Sequence, residues 1–170
     1  MIAEKILGNM ADYPLAGKKV DTVSLEWYEL DKRLLRKVTE DGTEIGIRLE
    51  AGAHLHEGDV LYADDKKVIA VDILPCELTV VSVSTMQQMG RLCFELGNRH
   101  LSLSIGEQEV RVPYDEPTFS YLEKLGFAPE KQTAKFTHVT VCHAHGHSHS
   151  HDDKQEHGHS HSHDGEHAHE

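Results

Sequence analysis

The chain has 170 residues and a formal net charge of −12, because 29 acidic residues outnumber 17 lysines and arginines. This acidic balance, without a basic stripe, argues against nucleic acid and anionic membranes as partners. No window approaches the roughly 18 apolar residues of a membrane helix. The N-terminus lacks the plan of a signal peptide, and three cysteines without C-x-x-C spacing suit a reducing compartment. We therefore expect a cytoplasmic protein.

The first 74 residues favour an all-β domain of about six short strands. Apolar and polar residues alternate in residues 20–27 and 45–49, as expected for strands that bury one face. Residues 40–43, Glu-Asp-Gly-Thr, predict the hairpin turn that precedes the second of these strands. Further strands are expected at residues 34–39, 60–62 and 68–74. No stretch of this half shows a helical period over a useful length.

The pattern changes at Pro75, from which a strand at residues 78–83 leads into a helix. The capping box Thr85-x-x-Gln88 opens this helix, and Gly97 is expected to end it in a left-handed conformation. Its apolar stripe consists of Met86, Met89, Leu92, Cys93 and Leu96.

Residues 101–105 and 109–112 then form a predicted hairpin. Asp115 caps a second helix that ends at Gly126, and a last strand is expected at residues 133–141. The order β-α-β-β-α-β is that of a ferredoxin-like domain with both helices on one face of an antiparallel sheet. The predicted fold class is therefore mostly β plus α+β, with an all-β domain first and the ferredoxin-like domain second.

The segment Gly97-Asn98-Arg99-His100 follows the first of these helices. His100 lies beyond the helix C-terminus, where the backbone dipole favours a cation, and at a strand entry of the kind usually exposed to solvent. On spacing alone, an ordinary helix stop followed by a surface histidine is the favoured interpretation, because a lone histidine is weak evidence for a ligand. His54 and His56, in a glycine-bounded turn, are interpreted as exposed loop residues. From its sequence context alone, His138 is interpreted as a structural residue on the last strand.

Histidine recurs at every second position near the end of the chain. Eleven of the fifteen histidines lie between His143 and Glu170, among small, polar and acidic residues that offer no apolar face. Nothing offsets the entropy cost of ordering such a segment, so we expect residues 142–170 to be disordered. Imidazole suits Ni, Zn, Cu and Fe, and a flexible chain can gather several rings around one ion. An affinity tag would be a uniform run, and a merely solubilising tail would not need alternating histidines.

These features together resemble the urease accessory proteins of the UreE type, which are nickel metallochaperones. The resemblance rests on residues 92–100, Leu-Cys-Phe-Glu-Leu-Gly-Asn-Arg-His, and extends to residues 5–9, the Asp41-Gly42 hairpin, residues 58–61 and the His-rich tail. It implies that His100 is a metal ligand at the interface of a head-to-head homodimer, where it meets its symmetry mate. It also implies that the N-terminal domain is peptide-binding-like.

We expect three parts: the N-terminal β domain at residues 1–74, the metal-binding domain at 75–141 and the disordered tail at 142–170. Some members of this family carry a His-x-His pair beyond the Gly-Asn-Arg-His motif, where this chain has Tyr114-Asp115-Glu116. The auxiliary role would then pass to His138 and the start of the tail. The expected metal ligands are His100, His138, Cys142, His143, His145, His147, His149 and His151.

The implied function is that of a nickel metallochaperone, which binds Ni²⁺ and delivers it to apo-urease through the urease accessory GTPase and the assembly complex. Zn²⁺ or Cu²⁺ would compete in vitro. The expected oligomer is a homodimer, with a dimer of dimers as the form that metal would favour. The alternative is a histidine-rich nickel or zinc buffer or storage protein. An enzyme is not expected, because neither an H-E-x-x-H pattern nor a phosphate-binding glycine loop occurs in the sequence.

Deleting residues 143–170 should remove the weaker, multiple nickel sites and leave the fold and the dimer intact, because the tail has no apolar face to contribute to a core. Calorimetric titration of the full-length and truncated proteins with Ni²⁺, alongside mass measurement of the oligomer, checks this. An unchanged nickel capacity in the truncated protein would contradict it.

Overall fold

The structure, a computed structural model, describes residues 1–140. Residues 1–74 contain seven strands and a one-turn 3₁₀ helix, Trp27–Glu29. The strands are β1 (Ile2–Ala3), β2 (Gly8–Asn9), β3 (Lys19–Leu25), β4 (Leu34–Val38), β5 (Glu44–Arg48), β6 (Asp59–Ala63) and β7 (Lys67–Ile73). One sheet has the order β1-β5-β4 and the other the order β2-β6-β7-β3. The expected all-β fold of the N-terminal domain is confirmed.

The buried faces of these two sheets meet in one core. It includes Val23, Leu25, Ile45, Ile47, Leu55 and Ile69. The strand expected at residues 20–27 ends earlier, because the N–H of Glu26 donates to the carboxylate of Glu29 at 3.0 Å and the chain turns into the 3₁₀ helix. β1 and β2 were not predicted individually, since two residues are too few to show an alternation.

The remaining described residues form a five-stranded antiparallel sheet with two helices. Their elements are β8 (Pro75–Ser82), α1 (Met86–Asn98), β9 (Leu103–Ile105), β10 (Glu109–Pro113), α2 (Glu116–Lys124), β11 (Pro129–Lys135) and β12 (Val139–Thr140). The sheet order is β11-β8-β10-β9-β12. Without β12, this is the strand order of a ferredoxin-like sandwich, so the predicted fold of the C-terminal domain is confirmed.

Both helices begin where the sequence predicts and pack on one face of this sheet. The hydroxyl of Thr85 accepts the N–H of Gln88 at 3.2 Å, and the carboxylate of Asp115 accepts that of Thr118 at 2.9 Å. One core cluster joins the helices to the sheet, through Leu92 and Leu96 of α1, Leu122 of α2, and Val81, Val110 and Val112. Among the described residues, no helix is long and apolar enough to cross a lipid bilayer.

The continuous strand expected at residues 133–141 is wrong. β11 ends at Lys135, residues 136–138 leave the sheet, and β12 pairs with β9 at the opposite edge. The strand ends because its partner β8 begins at Pro75, which pairs with Lys135, so the ladder stops there. Phe136, the next residue, is fully buried with Leu78 and Val80 in a separate cluster on the sheet face away from the helices. Ala134, two residues earlier, packs against the same cluster, so the Phe136 ring continues the buried face of β11 beyond the end of the strand.

Phe136 also joins the two domains. Its ring centre lies 5.3 Å from that of Trp27, and the two rings are perpendicular. Beside this aromatic pair, the amine of Lys135 lies 2.6 Å from the carboxylate of Asp72 and 2.7 Å from that of Glu57. Hydrogen bonds to Asp72 and Glu57 raise the pKa of Lys135. An aromatic pair and a group of ion pairs therefore hold the N-terminal domain against the sheet.

Replacing Phe136 by Ala should lower the free energy of unfolding by about 3–5 kcal/mol, because a fully buried ring is lost and a cavity remains between the domains. Phe136→Leu, the control, should cost clearly less because it leaves a smaller cavity. Urea unfolding followed by Trp27 fluorescence measures both. A loss below about 1 kcal/mol for Phe136→Ala would contradict the role of this contact.

Candidate metal centre

His100 lies immediately beyond α1, within a hydrogen-bonded helix stop. Its N–H donates to the carbonyl of Gly97 at 2.9 Å. The N–H of Leu101 donates to the carbonyl of Leu96 at 3.4 Å. This pair of bonds is a Schellman motif, which satisfies carbonyls that a helix end leaves free. The helix end itself therefore defines the backbone of His100.

The backbone of His100 is left-handed, with φ of +56°. This position of the motif is usually glycine, because a Cβ is crowded at positive φ, and another residue there costs about 1 kcal/mol or more. The prediction that Gly97 ends the helix in this conformation is wrong, since Gly97 lies within α1. Strain at an exposed residue is a reason to look for function there.

The neighbouring Arg99 is held by the second helix. Its guanidinium lies 4.7 Å from the centre of the Tyr121 ring, and the Tyr121 hydroxyl donates to the carboxylate of Glu95 at 2.6 Å. That hydrogen bond to Glu95 raises the pKa of Tyr121. A cation over a ring that is only partly desolvated contributes about 0.5–1 kcal/mol or slightly more. Arg99 therefore fixes the end of α1 against α2, while His100 stays exposed to solvent.

One face of α1 is apolar and exposed. Met86 and Phe94 expose 84% and 65% of their surface, and Gly90 and Gly97 lie on the same face by helical spacing. No other segment of the described chain comes within 4 Å of a Cβ built on either glycine. Each glycine costs about 1 kcal/mol relative to alanine in a helix, and packing within residues 1–140 does not require them. Such a face is suited to close approach by a partner.

The described cysteines are poor candidates for ligands. Cys76 and Cys93 are free and half-buried, and burial raises the pKa of both thiols. Both therefore stay protonated at neutral pH, whereas a metal binds the thiolate. The predicted tail ligands lie outside the described residues: Cys142, His143, His145, His147, His149 and His151.

His138 does not lie on a strand, contrary to expectation. It is exposed in the break between β11 and β12, and its φ is +54°. It lines a cleft between the two domains together with His54 and His56, and His100 does not line this cleft. Sequence reasoning missed this grouping, for which the two-residue spacing of His54 and His56 was the available signal. Within residues 1–140, no three potential ligand side chains are already gathered around one point.

Comparison with known proteins assigns this architecture to a family. Residues 3–74 match the N-terminal domain of the UreE urease accessory protein, and residues 76–169 match its C-terminal domain. The chain belongs to the UreE family. The resemblance inferred from the Gly-Asn-Arg-His segment and the tail is therefore confirmed.

Three relatives, each named urease accessory protein UreE, illustrate the similarity. That of Acetivibrio thermocellus is 44% identical over 137 residues, which cover 81% of this chain and 90% of the relative. That of Flavobacterium johnsoniae is 39% identical over 140 residues, covering 82% and 85%. That of Actinobacillus pleuropneumoniae is 42% identical over 135 residues, covering 76% and 72%. UreE is an accessory metallochaperone, so the expectation that the chain is not an enzyme is confirmed.

Replacing His100 by Gly should leave the free energy of unfolding unchanged or raise it, because glycine adopts positive φ without strain. His100→Val is the matched control. It should lower the free energy of unfolding by about 1–2 kcal/mol, since a β-branched side chain is crowded in this conformation. Urea unfolding compares the variants. Equal stabilities for the Gly and Val variants would show that residue 100 is not left-handed in solution.

Proposed function

We propose that this chain binds Ni²⁺ between two protomers, at their paired His100 side chains, and delivers the ion to apo-urease. The placement of His100 carries the proposal. Its imidazole is exposed, its backbone is strained, and it ends a helix that has an exposed apolar face. Imidazole nitrogen is a good ligand for Ni²⁺, and strain at an exposed residue favours a role other than stability.

A homodimer formed through α1 would account for the exposed face of this helix. Two copies related by a twofold axis bury the same patch on each protomer. Met86 and Phe94 would leave water, and a buried side chain of this size contributes about 1.5–3 kcal/mol. Gly90 and Gly97 would let the two helices approach closely. His100, at the end of the same helix, would then meet its symmetry mate, and each dimer would hold one shared site.

A site of this kind suits a carrier. One histidine from each protomer supplies two ligands, so further coordination positions stay open for water, for other imidazoles or for the ligands of an acceptor. Cu²⁺ binds such ligands more tightly than Ni²⁺, so affinity alone does not select nickel, and geometry, availability and partner recognition must do so. Open positions let an acceptor take the ion by ligand exchange.

The His-rich tail is proposed as a reservoir that raises the imidazole concentration near the folded domains. The ligands proposed there are Cys142, His143, His145, His147, His149 and His151. The proposed parts of the chain are the N-terminal β domain at residues 1–74, the metal-binding domain at 75–141 and the tail at 142–170. The proposed partners are the urease accessory GTPase and the urease assembly complex, and the proposed compartment is the cytoplasm.

A histidine-rich buffer or storage protein is the second candidate. One observation favours it, since eleven histidines follow residue 142 and only four precede it. In a buffer, the tail would hold every tight site and His100 would hold none. The nickel affinity that remains after the tail is deleted therefore distinguishes the two functions.

His100→Gly, made in the full-length chain, should abolish the tightest Ni²⁺ site, whose stoichiometry is one ion per two chains. Glycine keeps the left-handed backbone, so the fold should be preserved and the weaker tail sites should remain. Calorimetric titration and mass measurement check both points. If the tight shared site persists in this variant, the assignment of His100 is wrong.

Phe94→Asp tests the interface without touching the proposed ligand. A carboxylate is too costly to bury at a helix contact, so the protomers should separate and the tight site should disappear although His100 is intact. Leu34→Asp is the matched control, because Leu34 on β4 is 71% exposed and lies in the other domain. This control should change neither property. A Phe94→Asp protein that stays dimeric would exclude α1 as the interface.

A further inference from the structure

A cleft between the two domains is lined by three of the four histidines in residues 1–140. Two adjoining cavities, of about 350 Å³ and 560 Å³, both have His54, His56 and His138 among their lining residues. Since a water molecule takes about 30 Å³ of liquid volume, an ion with several waters fits here. The walls come from both domains. His54 and His56 lie in the loop between β5 and β6, and His138 lies between β11 and β12.

A carboxylate is hydrogen-bonded to one of these imidazoles, and a second carboxylate lies close to another. Nδ1 of His54 is hydrogen-bonded to the carboxylate of Asp31. Nδ1 of His56 lies 3.5 Å from the buried carboxylate of Asp59, which also accepts the backbone N–H of His56 at 2.8 Å. In the neutral tautomer whose Nδ1–H donates to a carboxylate, Nε2 carries the free lone pair. This arrangement of carboxylate and imidazole is the one that orients metal-binding histidines.

The two rings are also close to each other. The ring centres of His54 and His56 are 4.9 Å apart. Since an imidazole nitrogen binds a metal at about 2.0–2.1 Å, modest side-chain rotations bring both Nε2 atoms to one ion.

His138 supplies the third imidazole from the other side of the cleft. The described chain has three non-glycine residues with positive φ, namely Ala16, His100 and His138. Two of these three residues, His100 and His138, are thus histidines in a conformation that favours glycine. His138 lies outside the strands, and its exposed imidazole lines the cleft. Its strained backbone is a reason to look for a function at this position.

We propose that His54, His56 and His138 bind one divalent transition-metal ion in this cleft. Imidazole ligands suit Ni²⁺, Cu²⁺ or Zn²⁺ and not Mg²⁺ or Ca²⁺, which select oxygen. The three rings are not gathered around one point in the described residues, so the side chains must rotate toward the ion, and water completes its coordination. This site goes beyond the proposed nickel site, because it needs neither His100 nor the dimer.

The position of this site links the folded domains to the tail. Val139 lines both cavities and lies three residues before Cys142, where the His-rich segment starts. Because each residue spans at most about 3.3–3.6 Å, the first tail histidines are within a short reach of the cleft. An ion held there can exchange between tail imidazoles and the folded body.

The single tryptophan offers a local readout in the full-length chain. Trp27 packs against Phe136, which lies two residues before His138. The backbone carbonyl of Trp27 accepts the N–H of Leu30, and Leu30 lines the cleft. Paramagnetic Cu²⁺ quenches indole fluorescence only at short range. Titration with Cu²⁺ should therefore quench Trp27 in a saturable way, and excess diamagnetic Zn²⁺ should restore the emission.

The variants separate this site from the others. His54→Gln/His56→Gln and His138→Gly, which keeps the positive φ, should lose this quenching. Asp31→Asn should require about tenfold more Cu²⁺, as expected when the carboxylate that orients a ligand is removed. Leu34→Asp, at an exposed position of β4, is the control and should quench like the parent chain. His100→Gly keeps all three cleft histidines and should retain the quenching, so the two proposals fail independently. Absence of quenching in the parent chain, or undiminished quenching in the double variant, would overturn the cleft site.

Discussion

Burial of Phe136 between the two domains is the contact on which the rest of the molecule depends. The ring packs against Leu78 and Val80 on one side and Trp27 on the other. Beyond Phe136 the chain leaves this edge of the sheet, and β12 pairs with β9 at the opposite edge. This break between β11 and β12 places His138 at the cleft. One buried aromatic side chain thus anchors the contact between the domains, beside the break that carries His138.

Two exposed histidines have left-handed backbone conformations, which lower the stability of the fold. His100 and His138 each occupy a position that glycine would fill with less strain. The cost of about 1 kcal/mol apiece is a sizeable fraction of the net stability of a domain. Neither imidazole is buried, so side-chain packing does not offset this strain. Metal binding would offset this strain, because imidazoles on a rigid backbone lose little conformational freedom when they bind an ion.

The proposed sites share a balance between holding an ion and releasing it. A pair of imidazoles across a twofold axis, or three around a solvent-filled cleft, leaves coordination positions open for exchange. A site that filled every coordination position with protein ligands would release the ion slowly. The His-rich tail without the folded domains would bind the ion with no fixed ligand geometry. An acidic protein surface adds a long-range attraction for cations, which salt screens beyond about 8–10 Å. The folded domains would therefore contribute geometry, and the tail would contribute capacity.

The sequence by itself determined the features that depend on neighbouring residues. Alternation in residues 45–49, the helix caps at Thr85 and Asp115, and the Gly-Asn-Arg-His motif led to the strands, the helices and the family. Tertiary structure alone decided that His100 and not Gly97 is left-handed, that the last strand breaks after Lys135, and that His54, His56 and His138 line one cleft. The physical reason is that these outcomes depend on contacts between separate elements, such as Arg99 with Tyr121 at the end of α1 and Phe136 with Trp27 between the domains. Contacts between residues far apart in the chain leave no periodic signal in either segment.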